Sequence, residues 1–225
     1  MGREFEDVVS PYSERNVITS VQDLMRADGV AVTLSAIARR SGTSRNFLYR
    51  WWRSPEALRQ LAVTAEVMTV FDTAEHACPS RGTISGTVAH LVHVARGIRS
   101  HPTTAAIART SPASMAGALT AMDGPLPDAV CHRLRQILHS LRLADAVRER
   151  EAVDALAWKI LWIARPAALC PQALGDKDRE RTLDLGLGLL LSDLLTAAAR
   201  AAVEPQPVEP QPVEPQPVEP QPGEV

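Results

Sequence analysis

Arg45, Asn46, Tyr49 and Arg50 stand within two turns of one short segment, and their side chains are of the kinds that read and grip a DNA duplex. Arginine pairs bidentately with guanine and asparagine with adenine. The hydroxyls of Ser44 and Tyr49 suit phosphate oxygens. Around them, six arginines (39, 40, 45, 50, 53 and 59) between Thr33 and Ala65 face a single acid, Glu56, for a local charge of +5. Such a patch attracts phosphate whatever the base sequence and makes the association salt-dependent. A basic face also fits a helical hairpin with one solvated side, so the elements that carry these residues decide between the two readings.

Those elements read as two short helices and a tight turn. Leu34, Ile37 and Ala38 form an apolar face at helical spacing, Ser41-Gly42-Thr43 breaks it, and Phe47 and Leu48 resume it. Gly42 suits a helix C-terminus because a residue without Cβ turns left-handed at little cost. Thr33, and Thr43 or Ser44, can cap the helices that follow them. The second helix then crosses the first steeply, as in a helix-turn-helix, with Arg45 and Asn46 projecting from its start toward base edges. Upstream, a helix over Ser13 to Asp28 presents Val17, Ile18, Val21, Leu24 and Met25 on one face and ends at Gly29. Residues 1–12 are expected to form a loose arm with only Arg3 near its start as a cation. A fourth helix should begin at Ser54, with Pro55 in its first turn, and run through Leu58, Leu61, Ala62, Ala65, Met68 and Phe71. Its length makes it the connector to the rest of the chain.

The segment from about residue 13 to 65 resembles the DNA-binding domain of the TetR family of bacterial transcriptional repressors. The match rests on Thr33, Ile37-Ala38, Ser41-Gly42-Thr43-Ser44, Leu48-Tyr49, Trp51-Trp52 and Ser54-Pro55-Glu56-Ala57-Leu58, which follow the family's pattern in spacing as well as type. It departs where the family often has a proline after the aromatic pair and a basic residue before the glutamate. Arg53 and Pro55 occupy those places, leaving Arg53 as the candidate for the phosphate contact. Phe47 stands where a small or hydroxylated residue is frequent; packing against the first helix is its expected role, with a thymine methyl as the other partner. The resemblance implies a DNA-binding set of Thr33, Thr43, Ser44, Arg45, Asn46, Phe47, Tyr49, Arg50 and Arg53.

Beyond residue 80 the pattern is helical, with no strand-like alternation, and the fold class expected is all-α. Helices are predicted near 83–99, 103–110, 112–122, 127–144, 150–165 and 178–202, broken at Pro79, Pro102, Pro112, Pro125, Pro166 and Pro171. The domains expected are an arm (1–12), a helix-turn-helix domain (13–65), a helical domain (66–202) and a tail (203–225). The last two helices carry the broadest apolar faces. The dimer contacts expected from them are Leu156, Ile160, Leu187, Leu190, Leu191 and Leu194, with Gly186 and Gly188 allowing close approach. In the family such helices pair with their mates as a four-helix bundle, so the resemblance implies a homodimer. A two-fold dimer in turn implies a palindromic operator. The resemblance further implies a small-molecule cavity among the middle helices. Its candidate lining is Met68, Phe71, His90, His93, Val94, Met115, Leu119, Met122, His139, Trp158 and Trp162, each equally well explained as core. Met, Trp and His together suit a mostly apolar effector with a few polar groups.

The 225 residues carry a net charge of −2, an odd sign for a DNA binder until it is divided. Residues 203–222 are four copies of Val-Glu-Pro-Gln-Pro, and the tail holds five glutamates and no cation; without it, 24 cations against 21 acids leave +3. Proline at this density excludes helix and sheet and favours polyproline II. The tail reads as a solubilising appendage, with a ligand for a proline-recognising module or an acidic competitor of DNA as the functional readings. Cys78, Cys131 and Cys170 are far apart and form no CxxC, so neither a disulfide framework nor a zinc site is expected. His90 with His93, and His132 with His139, share helix faces but lack a cysteine or carboxylate at ligand spacing. No nucleophile motif, phosphate loop or paired carboxylate appears, so no enzyme, cofactor or metal is expected. The acidic N-terminus has no signal-peptide character and no 18-residue apolar run was found, which predicts a cytoplasmic protein with no membrane partner. Two other readings stay open: a DNA-binding regulator answering a protein partner or a thiol modification, and a helical interaction protein that has lost DNA binding.

Overall fold

The computed structural model describes residues 11–52, 54–78, 82–120, 123–141, 150–170 and 175–203. Arg53, Met122, most of the expected arm and the repeat tail lie outside the described residues. Ten helices and no strand are found among the described residues: α1 (Pro11–Asp28), α2 (Leu34–Ser41), α3 (Arg45–Trp51), α4 (Pro55–Ala77), α5 (Ile84–Ser100), α6 (Pro102–Thr110), α7 (Pro112–Thr120), α8 (Pro125–Ser140), α9 (Arg150–Ala168) and α10 (Lys177–Val203). The protein is all-α, as its periodicity predicts.

Two apolar clusters organise these helices. The first joins Val17, Val21 and Met25 of α1 to Ile37 of α2, Leu48 of α3, and Leu58 and Ala62 of α4. The second joins Phe71 and Ala74 of α4 to α5, α8, α9 and α10. Helix α4 therefore belongs to both clusters, and between its two contributions sits Glu66, a buried acid. A rigid rod through two cores is a mechanical link between them.

The chain turns where its capping residues direct. Thr33, Ser44, Ser54 and Thr83 each accept a backbone N–H three residues on, from Ala36, Phe47, Ala57 and Gly86. Pro55, Pro102 and Pro125 stand in first turns, where the missing N–H costs nothing. Helix α1 starts at Pro11, two residues earlier than its apolar pattern suggests. Pro166, expected to end α9, lies inside it. The helix runs on for less than a turn beyond it, burying Ala167 and Ala168 in the second core, and the Leu169 N–H closes on the Arg165 carbonyl at 2.9 Å. Burial of that last turn outweighs the one backbone bond a proline removes.

Just beyond α1 the chain approaches α6 through a residue that has no side chain. Gly29 ends α1 at φ +63°, and a Cβ placed on it would fall 1.8 Å from Thr110 Oγ1 and 2.9 Å from Thr110 Cβ of α6. Gly29→Ala combines a left-handed backbone with overpacking, and should lower the unfolding free energy by about 2 kcal/mol or more. Denaturant unfolding checks this; an unchanged midpoint would contradict the observed closeness of α1 and α6.

Helix α10 is long and apolar enough to cross a membrane by length and composition, with a mean hydropathy of 1.4, although charged residues interrupt its apolar run. Its core-facing row is Leu187, Leu191 and Leu195, at 3% exposure or less. Near its start, Asp184 accepts from Arg99 at 2.7 Å and from Arg96 at 2.6 Å, both on α5. Arg99 is 1% exposed and also donates to the Ala167 carbonyl at 2.8 Å. One carboxylate and one buried guanidinium thus tie α5, α9 and α10 together.

Candidate DNA interface and effector cavity

Helix α3 is seven residues long, and a helix that short holds its shape through its caps and the surface behind it. Ser44 caps its start, and Gly42 at φ 69° returns a backbone N–H to Ala38 at the end of α2. The Ser41 hydroxyl donates to the Ile37 carbonyl and meets Thr43 Oγ1 at 2.7 Å, which stiffens the turn. Leu48 is fully buried beneath. Phe47 packs half-buried on the first core, with ring centroids 6.5 Å from Trp51 and 6.2 Å from Trp52. Packing accounts for Phe47, as its neighbours in the sequence suggest.

Everything else on α3 faces outward. Ser44, Arg45, Asn46, Tyr49 and Arg50 are exposed, Tyr49 at 55%, and Thr33 is exposed at the start of α2. Thr43 is half-buried. The basic patch is smaller than its composition implies. Arg40 binds Asp23 of α1 at 2.7 Å, and Arg59 pairs with Glu56 and donates to the Val32 carbonyl at 3.3 Å. These two arginines are engaged within the domain. Among the described residues, Arg39 and Arg45 are exposed cations in no ion pair. Asp23, which neutralises Arg40, lies outside the window in which the charge was counted.

A cavity of about 550 Å³ opens between α4, α5, α6, α7, α8 and α9, mostly apolar in its walls. Its size falls within the roughly 300–1,000 Å³ of small-molecule sites. Helix α7 has no fully buried residue and lies against the cavity through Met115 and Ala118. At the other end the cavity reaches Met25 and Val30, at the end of α1. Of the expected lining residues, Phe71, Val94 and Met115 are on the wall. Met68, His93, Leu119 and Trp158 are half-buried off the wall, and His139 and Trp162 are exposed. His90 is buried behind the wall, its ring 6.5 Å from Phe71. Met122 lies outside the described residues. The positions off the wall share a cause: helical spacing identifies an apolar face without saying which neighbour it meets.

The polar groups on the wall were missed by the sequence reading. Glu66 Oε1 accepts from Arg26 of α1 at 2.8 Å. Its Oε2 lies 3.6 Å from His101 Nδ1, which accepts the Thr103 N–H at 3.3 Å. Thr103 is itself on the wall, and its buried Oγ1 has no hydrogen-bond partner among the described residues. Arg165 is also on the wall; it donates to the Leu119 carbonyl at 3.4 Å and lies 4.8 Å over the Trp162 ring, and burial lowers its pKa. The signal that could have found Glu66 is its place on the buried stripe Leu58, Ala62, Glu66, where an acid is out of pattern.

The expected dimer contacts are placed unevenly. Leu156, Ile160, Leu187 and Leu191 are core of this chain, Leu194 packs half-buried against it, and only Leu190 is well exposed, at 57%. The exposed apolar row on α10 is instead Leu185, Leu189 and Leu190, with Trp162 on α9. Gly186 faces open space, and Gly188 meets Val88 and Val92 of α5 at 3.8 Å. Helix α10 is apolar on more than one side, and the side with closest inward neighbours became core.

Burial pushes the Cys131 thiol above its ordinary range, and Cys78 and Cys170 are half-buried and in no disulfide. A raised pKa lowers the thiolate fraction on which thiol reactivity depends. No group of three or more metal-ligating side chains is found among the described residues.

No protein-family model and no curated protein matches the sequence. Solved structures do. The chain is similar to the TetR-family transcriptional repressor QsdR of R. erythropolis, at 19% identity and a TM-score of 0.63, over 81% of this chain and 95% of that one. It is equally similar to AlkX of Dietzia sp., a TetR-family repressor implicated in biodegradation of n-alkanes, at 19% identity and a TM-score of 0.63, over 85% of this chain and 98% of that one. The chain thus has the overall helical fold seen in these two TetR-family repressor structures.

Proposed function

We propose that the protein is a ligand-responsive transcriptional repressor that binds a palindromic operator as a homodimer and is released by a small, mostly apolar effector. In this reading residues 13–65 are the DNA-binding unit, residues 66–202 the effector and dimerisation unit, and the protein acts in the cytoplasm without catalysis. The observation that carries it is α3: Arg45, Asn46 and Tyr49 exposed on a capped helix anchored by Leu48, in a fold that repressors share. Arg45 and Asn46 are assigned to base edges, and Thr33, Thr43, Ser44, Tyr49, Arg50 and Arg53 to the phosphates. Release follows if ligand in the cavity moves α4, a helix common to both cores.

Leu185, Leu189, Leu190 and Trp162 support self-association, since a stripe of exposed leucines is costly in water. Leu189→Lys combined with Leu190→Lys should give a folded monomer by light scattering, with helicity unchanged because both residues are solvent-facing. A dimer that persists would place the interface elsewhere. The proposal as a whole is tested by titrating purified protein onto duplex DNA across a salt series. The logarithm of the affinity should fall linearly with the logarithm of salt, with a slope of about −0.9 per phosphate neutralised. Absence of binding at low salt would defeat it.

A further inference from the structure

The wall of the cavity carries buried polar groups whose hydrogen bonding is incomplete. His101 Nδ1 accepts the Thr103 N–H at 3.3 Å, so its lone pair, not a proton, points there. Glu66 Oε2 lies 3.6 Å from the same nitrogen, so two acceptors face each other with no hydrogen between them. A proton on Nδ1 would point toward Glu66 but strip the Thr103 N–H of its acceptor. The second carboxylate oxygen, Oε1, is already taken by Arg26 at 2.8 Å. Beside them Thr103 Oγ1, shut away from solvent, has no partner among the described residues. Glu66, His101 and Thr103 all line the cavity, and Glu66 and Thr103 are more than nine-tenths buried.

Resting on the reading of this cavity as the effector site, we infer that the effector is a mainly hydrocarbon molecule whose polar head donates hydrogen bonds, a hydroxyl or amino group, to Glu66 and to the Thr103 hydroxyl. The hydrocarbon part occupies the walls of Val67, Val94, Leu134 and Ile160. The head sits beside the Arg26–Glu66 pair, which joins α1 to α4 across 40 positions of sequence. A donor drawn to Glu66 therefore acts on the contact between the helix-turn-helix and the connector helix. A carboxylate head at this end meets the Glu66 carboxylate, a like charge on the same wall. It would have to turn toward Arg165, whose guanidinium already donates to the Leu119 carbonyl and covers Trp162.

Calorimetric titration of the full chain with 1-decanol, decylamine, decanoic acid and decane, each below its aggregation concentration, tests this. Decanol or decylamine should bind tighter than decanoic acid and decane by roughly tenfold or more, as a hydrogen bond to a charged group implies. Which of the two binds tighter distinguishes a neutral from a cationic head. Glu66→Gln, checked for folding by circular dichroism, should reduce that preference to about threefold or less. Decanoic acid binding as well as the donors, or a preference untouched by Glu66→Gln, would overturn the head-group inference while leaving the effector cavity in place. If the substituted chain does not fold, the four-probe comparison on the unsubstituted protein decides alone. Binding of none of the four would overturn the effector reading itself.

Discussion

Replacing Arg45 and Asn46 together by alanine should abolish sequence-specific DNA binding while leaving the protein as stable as before. Both side chains are exposed on α3 and make none of the capping or core contacts that hold the helix, which belong to Ser44 and Leu48. Alanine is a better helix former than asparagine, so local structure is not at risk. Each bidentate base contact is worth about 1–3 kcal/mol of discrimination, and a two-fold dimer loses it at both half-sites. The expected loss is several orders of magnitude in specific affinity, with weak salt-sensitive binding remaining from the phosphate-facing groups. Parallel competition assays with operator and random duplex, alongside thermal unfolding, would show it. Equal losses on both duplexes would mean the pair grips phosphate and reads no base.

The second large effect is on stability. Asp184→Ala removes the carboxylate that neutralises Arg99, a guanidinium 1% exposed between α5 and α10. Breaking a buried pair on one side leaves an uncompensated charge and costs about 3–5 kcal/mol. Arg96, the other partner of Asp184, has a side chain 56% exposed, and Arg96→Ala should cost at most about 1 kcal/mol. The double variant Asp184→Leu with Arg99→Met, which removes both charges, should recover much of the loss. Denaturant unfolding of the three variants checks the order. Similar losses for Arg96→Ala and Asp184→Ala would contradict the division into a buried and a surface pair.

Much of the N-terminal architecture was legible because its signals are local. Gly42, Ser44 and Ser54 dictate backbone geometry by their own chemistry, and the helices they bound were readable to within one or two residues. The prolines at 102, 112 and 125 open helices for the same reason. Pro166 misled because the core contacts of Ala167 and Ala168, which sustain the helix past it, are made with distant parts of the chain. Helix α10 posed a different problem. Leu185, Leu187, Leu189, Leu190 and Leu191 present leucine in several directions at once, so spacing cannot tell the row that meets α5 and α9 from the row left to solvent. The cavity was the least legible part. Its polar end is assembled from Arg26, Glu66, His101 and Thr103 on three helices, and only the out-of-pattern acid at Glu66 hints at it.

The measurement that bears most directly on the central claim is selection of DNA fragments from the source genome by the purified protein, at near-physiological salt with non-specific competitor. The account predicts enrichment of a palindromic site whose half-sites lie about one helical turn or a multiple apart, lost with Arg45→Ala and Asn46→Ala and weakened by the donor-headed decyl compounds. Recovery of no enriched sequence, with the cavity shown to be empty of bound ligand, would contradict it and leave a repressor fold put to another use.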